Sequence, residues 1–227
     1  MSPYFHNRVA QIILILAVIT LLFQLRVGFI SQADWSVNAD EAKRAVVTRA
    51  ISRISIDGLL NEDDWSLAVP IGEIVQREPK QGEKATERTE VKLLYDSQNF
   101  YIGVMCYDSQ PEQIIGTQMA RDALLIADDQ IEILIDTFRD RRNAFYFATN
   151  PVGALVDGLI IENSSANREW DAIWNVRTHR SNLGWSAEFA IPFKSLSFKR
   201  GDQSWGFNFS RTIKRKLEED RSRLSPP

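Results

Sequence analysis

A chain of 227 residues, 44% hydrophobic and 25% charged, carries enough apolar material for one domain plus a leader, or two small domains, and is not of a composition that stays unfolded. Its formal net charge of −3, with acids and bases interspersed, excludes the basic footprint of a nucleic-acid binder. A single cysteine, Cys106, excludes an internal disulfide, and in the apolar run "YIGVMCYD" it reads as a small buried hydrophobe.

Residues 1–33 contain Arg8, the continuous apolar run "IILILAVITLLF" and then Ser31-Gln32-Ala33, with no acid among them. The run is short for a bilayer span of about 20 residues and suits a signal-peptide core, with cleavage expected after Ala33. Arg26, between core and cleavage site, keeps open the alternative of an uncleaved inner-membrane anchor over residues 9–30. Export without a disulfide framework suits a bacterial periplasm or outer surface. Residues 34–45 are a polar lead-in.

Strand patterns then follow one another. The β-branched run "AVVTRAISRISI" ends at Asp57-Gly58, a turn signal because glycine accepts positive φ. A short helix is expected within 60–69, with Asn61 as its cap, Asp64 as a capping-box partner and Trp65 plugging the core. "IGEIV" reads as a short strand, and "QREPKQGEKATER" as a surface loop. "TEVKLLYD" and "FYIGVMCYD", joined by Ser97-Gln98-Asn99, form the clearest hairpin. Residues 111–119 are a second helical candidate. "QIEILIDT" alternates, placing Ile131, Ile133 and Ile135 on one face and Glu132 and Asp136 on the other. "NAFYFATN", "GALVDGLIIEN", "DAIWNVRTH", "GWSAEFAIP" and "SWGFNFSRTI" continue the series. About nine or ten short strands between turn signals predict an all-β, antiparallel, jelly-roll-like β-sandwich over residues 46–215. The residues that follow, 216–227, read as a charged tail or truncated linker.

Chemistry-bearing motifs are few. Neither histidine has zinc-ligand spacing with a cysteine, and no nucleophile elbow or phosphate loop is present. Carboxylates are plentiful, so a glycoside hydrolase, which needs two across a cleft, is a third-ranked reading. Asp128 and Asp129, at a strand entry, suit either a hard cation such as calcium or hydrogen bonds from loop amides. Sugar sites combine flat rings with a few placed polar groups. Trp170, in the polar loop "NSSANREW", is expected to be exposed, whereas Trp174, Trp185 and Trp205 lie in core-facing patterns. Arg121, Arg142 and Asn143 add polar groups in loops.

Five segments in register carry a resemblance: "IDGLLNEDDW", "VKLLYDSQNFYIGVMCYDSQP", "DDQIEILIDT", "GWSAEFAIPFKSL" and "WGFNFSRTIKR". Together they resemble family 9 carbohydrate-binding modules. "DTFRDRRNAFYFATNPVGALVDG" and "WDAIW" resemble, more narrowly, bacterial exported proteins in which such a module precedes a membrane-associated β-region. The resemblance implies a non-catalytic sugar-binding β-sandwich linked to polysaccharide breakdown, often with structural calcium. It implies a sugar held between two tryptophans above polar residues. The first of those tryptophans maps near Ile126, and the second falls in a C-terminal segment beyond this chain. A ligand arginine maps to Tyr146, and Glu132 matches a polar ligand position. The expected contacts are therefore Glu132 and Trp170, with Arg121, Arg142 and Asn143 nearby. The alternative is a docking module for an outer-membrane β-barrel partner.

Overall fold

In the computed structural model of the chain, residues 44–71, 73–199, 201 and 204–222 are described, all within the unit spanning residues 43–227. The expected leader or anchor, 1–33, and nearly all of the lead-in lie outside them. Among the described residues no helix is long and apolar enough to cross a membrane.

Among the described residues there are eleven strands in two sheets, most of them from the alternating apolar runs. One sheet has the order β1 (Thr48–Arg49), β3 (Thr89–Tyr95), β4 (Asn99–Tyr107), β9 (Gly184–Pro192) and β8 (Asn175–Ser181). The other has the order β2 (Ile74–Glu78), β11 (Glu218–Ser222), β10 (Gly206–Ile213), β5 (Gln130–Asp136), β6 (Ala144–Thr149) and β7 (Val156–Ile160). All ladders are antiparallel except β1 with β3. Side chains pointing to one face of each strand meet between the layers: Ile102 and Val104 from β4, Phe189 and Ile191 from β9, Ile131, Ile133 and Ile135 from β5, and Phe147 from β6. Cys106 and Trp185 lie in this core, Trp174 stacks on Phe189 at 5.8 Å, and Trp205 packs at its margin.

The motif around Asp57 closes the outer face of the five-stranded sheet. Gly58 has φ +91°, and a Cβ there would sit 2.7 Å from the Thr178 carbonyl carbon, so the turn demands glycine twice over. Trp65, in α1 (Asp63–Leu67), lies over Gly103 of β4 and is buried. Its indole N–H donates to Glu188 Oε1 at 2.9 Å, while the amides of Asp57 (3.0 Å) and Gly58 (2.9 Å) donate to Glu188 Oε2. Two of the sequence motifs, one ending at Trp65 and one containing Glu188, are thus halves of a single buried joint.

Several local expectations are revised. The helix is shorter, and Asn61 does not cap it: the N-cap is Glu62, without a side-chain bond. Asp64 instead turns away, accepting the amides of Ile51 (2.7 Å) and Ser52 (3.2 Å) and the Ser52 hydroxyl. That capture takes the Ile51 and Ser52 amides away from the ladder, so the strand is only Thr48–Arg49, with one last bond from Ala50 N–H to the Tyr95 carbonyl at 2.8 Å. The second helical candidate keeps a single 3₁₀ turn, Pro111–Gln113. The charged run expected as a tail or linker from 216 onward enters the fold, because its Glu218–Ser222 segment pairs with both β2 and β10.

Candidate functional site

Register decides which polar side chains share a face. On β5, Glu132 projects away from the core, opposite the isoleucines. Its neighbours on the same outer face are Ser210 of β10 and, one step along β6, Tyr146. The Tyr146 hydroxyl donates to Glu132 Oε1 at 2.8 Å and the Ser210 hydroxyl to Oε2 at 3.2 Å. Burial first, and then the Glu132 charge, push the Tyr146 phenol far above its ordinary value, so it stays a donor. Arg168, in the loop between β7 and β8, lies against the same hydroxyl, and its Nη1 is buried without a partner. Arg77 of β2, paired with Glu219 at 2.8 Å, adds a cation that Glu132 influences. Residues 114–129 roof part of this face: Leu125 is buried with Tyr146, Ala148 and Val156, while Leu124 and Ile126 remain exposed.

Glu132 therefore sits half-buried in a set of hydroxyl and guanidinium groups. A carboxylate has about four acceptor positions, and the two hydroxyls use two. The face can take further O–H donors without breaking a backbone bond.

The other expected contacts do not join it. Trp170 is half-buried, with its ring against Phe145 (5.3 Å) and Phe147 (6.3 Å). Those rings alternate with Tyr146 and point inward, so Trp170 caps the interlayer core on the opposite side of β6 from Glu132. It is not the exposed platform its polar loop suggested. Arg121 is drawn to the inner side as well: it pairs with buried Asp157 at 2.6 Å and with Asp171 at 3.1 Å, and Asp157 also accepts the Trp174 indole N–H at 3.0 Å. Arg142 pairs with Glu162, and Asn143 donates to Asp140 at 2.7 Å. Arg142 is exposed and Asn143 half-buried, and both fasten the β5–β6 hairpin end. Of the five, only Glu132 lies on the polar face, and Tyr146, Ser210 and Arg168 complete it. Strand alternation in "NAFYFATN" was the signal that could have put Tyr146 on that face. Ser210 needed the β5–β10 pairing, which no local pattern encodes.

Asp128 and Asp129 are both buried and face loop amides. Asp128 accepts Thr117 N–H (3.0 Å), Gln118 N–H (3.0 Å), the Thr117 hydroxyl (2.7 Å) and the Asn150 amide (2.7 Å). Burial opposes the ionised form, but these donors outweigh it and hold Asp128 below its ordinary value. Asp129 accepts Lys214 N–H (2.7 Å) and Ile115 N–H (3.2 Å), and there burial prevails and raises it. Calcium does not fit at this pair, since N–H and O–H protons already point at the oxygens a cation would need. Among the described residues no three Asp, Glu, His or Cys side chains are grouped to hold a metal.

The family model described as "Carbohydrate family 9 binding domain-like" matches residues 56–223. A family 9 carbohydrate-binding module from Caldicellulosiruptor kristjanssonii, solved in complex with cellotriose, is 18% identical, covering 78% of this chain and 82% of its own, with a TM-score of 0.54. The glucose complex from the same organism gives the same identity and TM-score and covers 85% of its own chain. A Bacteroides uniformis crystal structure reaches a TM-score of 0.58 at 11% identity, covering 80% of this chain and 90% of its own. At such identities these structures establish the fold alone. No curated protein matches the chain.

Proposed function

Since the chain belongs to the carbohydrate family 9 binding domain-like family, a family of non-catalytic binding modules, we propose that it binds a neutral gluco-oligosaccharide on the outer face of its six-stranded sheet. The observation that carries this reading is Glu132 held by two side-chain hydroxyls, Tyr146 and Ser210, in place of backbone amides. Hydroxyl rotors can turn to a sugar, and the carboxylate keeps free lone pairs for sugar O–H groups. Cellotriose and glucose, held by the Caldicellulosiruptor module, are the first ligands to try. In this reading residues 1–33 export the chain, as a cleaved signal or an anchor, to the bacterial periplasm or outer membrane, where it serves polysaccharide breakdown.

Calorimetric titration of the folded protein with glucose and cellotriose, with and without calcium, tests the reading. Saturable heat that vanishes in Glu132→Ala while the fold persists supports it. Absence of heat with either sugar overturns it and favours the second reading, a docking module for an outer-membrane β-barrel partner. One observation speaks for that second reading: aliphatic Ile126, 72% exposed, stands where the family resemblance places a stacking ring.

A further inference from the structure

Strand β11 is polar where an inner strand is expected to be apolar. Glu218, Asp220 and Ser222 alternate inward and are buried. Asp220 is fully buried, and no N–H or hydroxyl donor of another residue reaches either of its carboxylate oxygens. A sealed carboxylate with no donor calls for an explanation.

The donors around it serve other acceptors. Across the ladder toward β2 stands Gln76, whose Nε2 donates to the Lys84 carbonyl at 2.9 Å while its Oε1 lacks a donor. Across the ladder toward β10 stands Arg211, buried, whose guanidinium serves the Arg88 carbonyl (3.2 Å), the Thr89 hydroxyl (3.0 Å) and the Tyr107 carbonyl (2.9 Å), and lies 3.7 Å from Asp108. On β11 itself, Glu218 accepts both the amide and the hydroxyl of Thr86 at 2.8 Å. Lys216 is bound to the Thr86 hydroxyl (2.7 Å) and Glu87 (2.6 Å), and Arg215 to Glu87 and Asp108. From β4, Cys106 borders the same compartment together with Asp108, Asp129 and Arg211, and burial pushes its thiol up to about 11, so it is neutral. Carboxylates at Glu87, Asp108, Asp129, Glu218 and Asp220 thus outnumber the cations Arg211, Arg215 and Lys216.

Ionised, Asp220 would be an uncompensated charge beside a second carboxylate. Neutral, it has a hydroxyl to donate, and two acceptors stand near: the Glu218 carboxylate and the donorless Gln76 Oε1. We propose that Asp220 is carried as the neutral acid and that its proton, shared with Glu218 on the same strand and facing Gln76 across the ladder, clasps β11 to β2, making the pairing of this edge of the sheet proton-dependent. Burial first, and then the Glu218 charge and hydrogen bond, raise the Asp220 carboxyl well above its ordinary 3.8. The sign follows from the raised folded value: the clasp contributes fully below the unfolded value and is lost as pH rises through the folded one. The inference is independent of sugar binding.

Carbon-13 NMR of the side-chain carboxyls tests it directly. The Asp220 resonance is expected to keep its neutral-acid shift at pH 5, where ordinary aspartates are ionised. A resonance that titrates at or below the ordinary aspartate range overturns the proposal, the oxygens then being served by trapped water. Asp220→Asn, a permanently neutral isostere, gives a second readout by urea unfolding. Its folded-to-unfolded ratio should exceed that of the wild type by tenfold or more at pH 8, and the gap should close toward pH 4. Parallel pH dependences of the two proteins also overturn the proposal.

Discussion

Two glutamates on opposite sheets show how one residue type takes opposite roles. Glu188 is fully buried on the five-stranded sheet and filled by three N–H donors, two from a turn and one from an indole. Glu132 is half-buried on the six-stranded sheet and held by two hydroxyls. Backbone and ring N–H groups cannot turn away or exchange roles, so Glu188 is fixed, and its full burial closes it to a ligand. Hydroxyls rotate and both donate and accept, so Glu132 is adaptable. The type of donor, more than the carboxylate itself, separates a joint from a site.

The largest effect should come from removing the joint. Glu188→Ala leaves two buried donors, Gly58 N–H and the Trp65 indole, and the part-buried Asp57 amide unpaired, and should cost about 3–5 kcal/mol of stability in urea unfolding. At pH 8, where Glu188 is ionised, Glu188→Gln should not restore it, because both oxygens accept N–H groups and the new amide would point its own N–H at one of them. A loss of about 2–3 kcal/mol is expected. A fully stable Glu188→Gln would show that the joint does not need two acceptors, and the contrast with Glu132 would weaken.

The joint also titrates. Burial pushes Glu188 up to about 7, against the pull of its three donors. With a raised folded value, its contribution is complete below about 4.5 and is lost as pH climbs toward 7. Glu87 behaves oppositely: burial would raise it, but Lys216, Ser109 and Arg215 outweigh burial and hold it at about 2. Its contribution is present above 4.5 and lost as pH falls toward 2. Unfolding free energy against pH should therefore peak in mildly acidic solution. Glu188→Ala should flatten the alkaline limb and Glu87→Ala the acid limb.

How much of this was legible depends on whether the signal is local and apolar. Ile131, Ile133 and Ile135 announce β5 because apolar alternation is what a half-buried strand requires. Asp57-Gly58 and Trp65 announce a corner for the same kind of local reason. Strand β11 was invisible because its inward residues are Glu218, Asp220 and Ser222, and hydrophobic periodicity cannot register an alternation of polar side chains. The loop around Trp170 was polar, yet the ring packs on Phe145 and Phe147, a contact set by tertiary structure. The candidate site was half legible. Glu132 was found, but Tyr146 was reached only as the position of a ligand arginine it replaces, not as a contact itself, and Ser210 depends on a sheet order no local pattern specifies. That Glu188 belonged to the same joint as Trp65 required the five-stranded sheet to bring two distant motifs together.

The smallest effects sharpen the other side of the comparison. Tyr146→Phe removes one hydroxyl from Glu132 and leaves the buried ring in place, so stability should fall by only about 1 kcal/mol. If the face is a sugar site, affinity should weaken by about five- to tenfold in calorimetry, because Glu132 loses the donor that orients it. Arg142→Ala is the matched control. Its ion pair with Glu162 is exposed on both sides, and such pairs contribute within about 0.5 kcal/mol. It lies at the hairpin end, so sugar heat should be unchanged. Equal losses of affinity in both variants would move the site from the open face to the hairpin. A loss confined to Tyr146→Phe places it at the hydroxyl-held carboxylate, the arrangement Glu188 lacks.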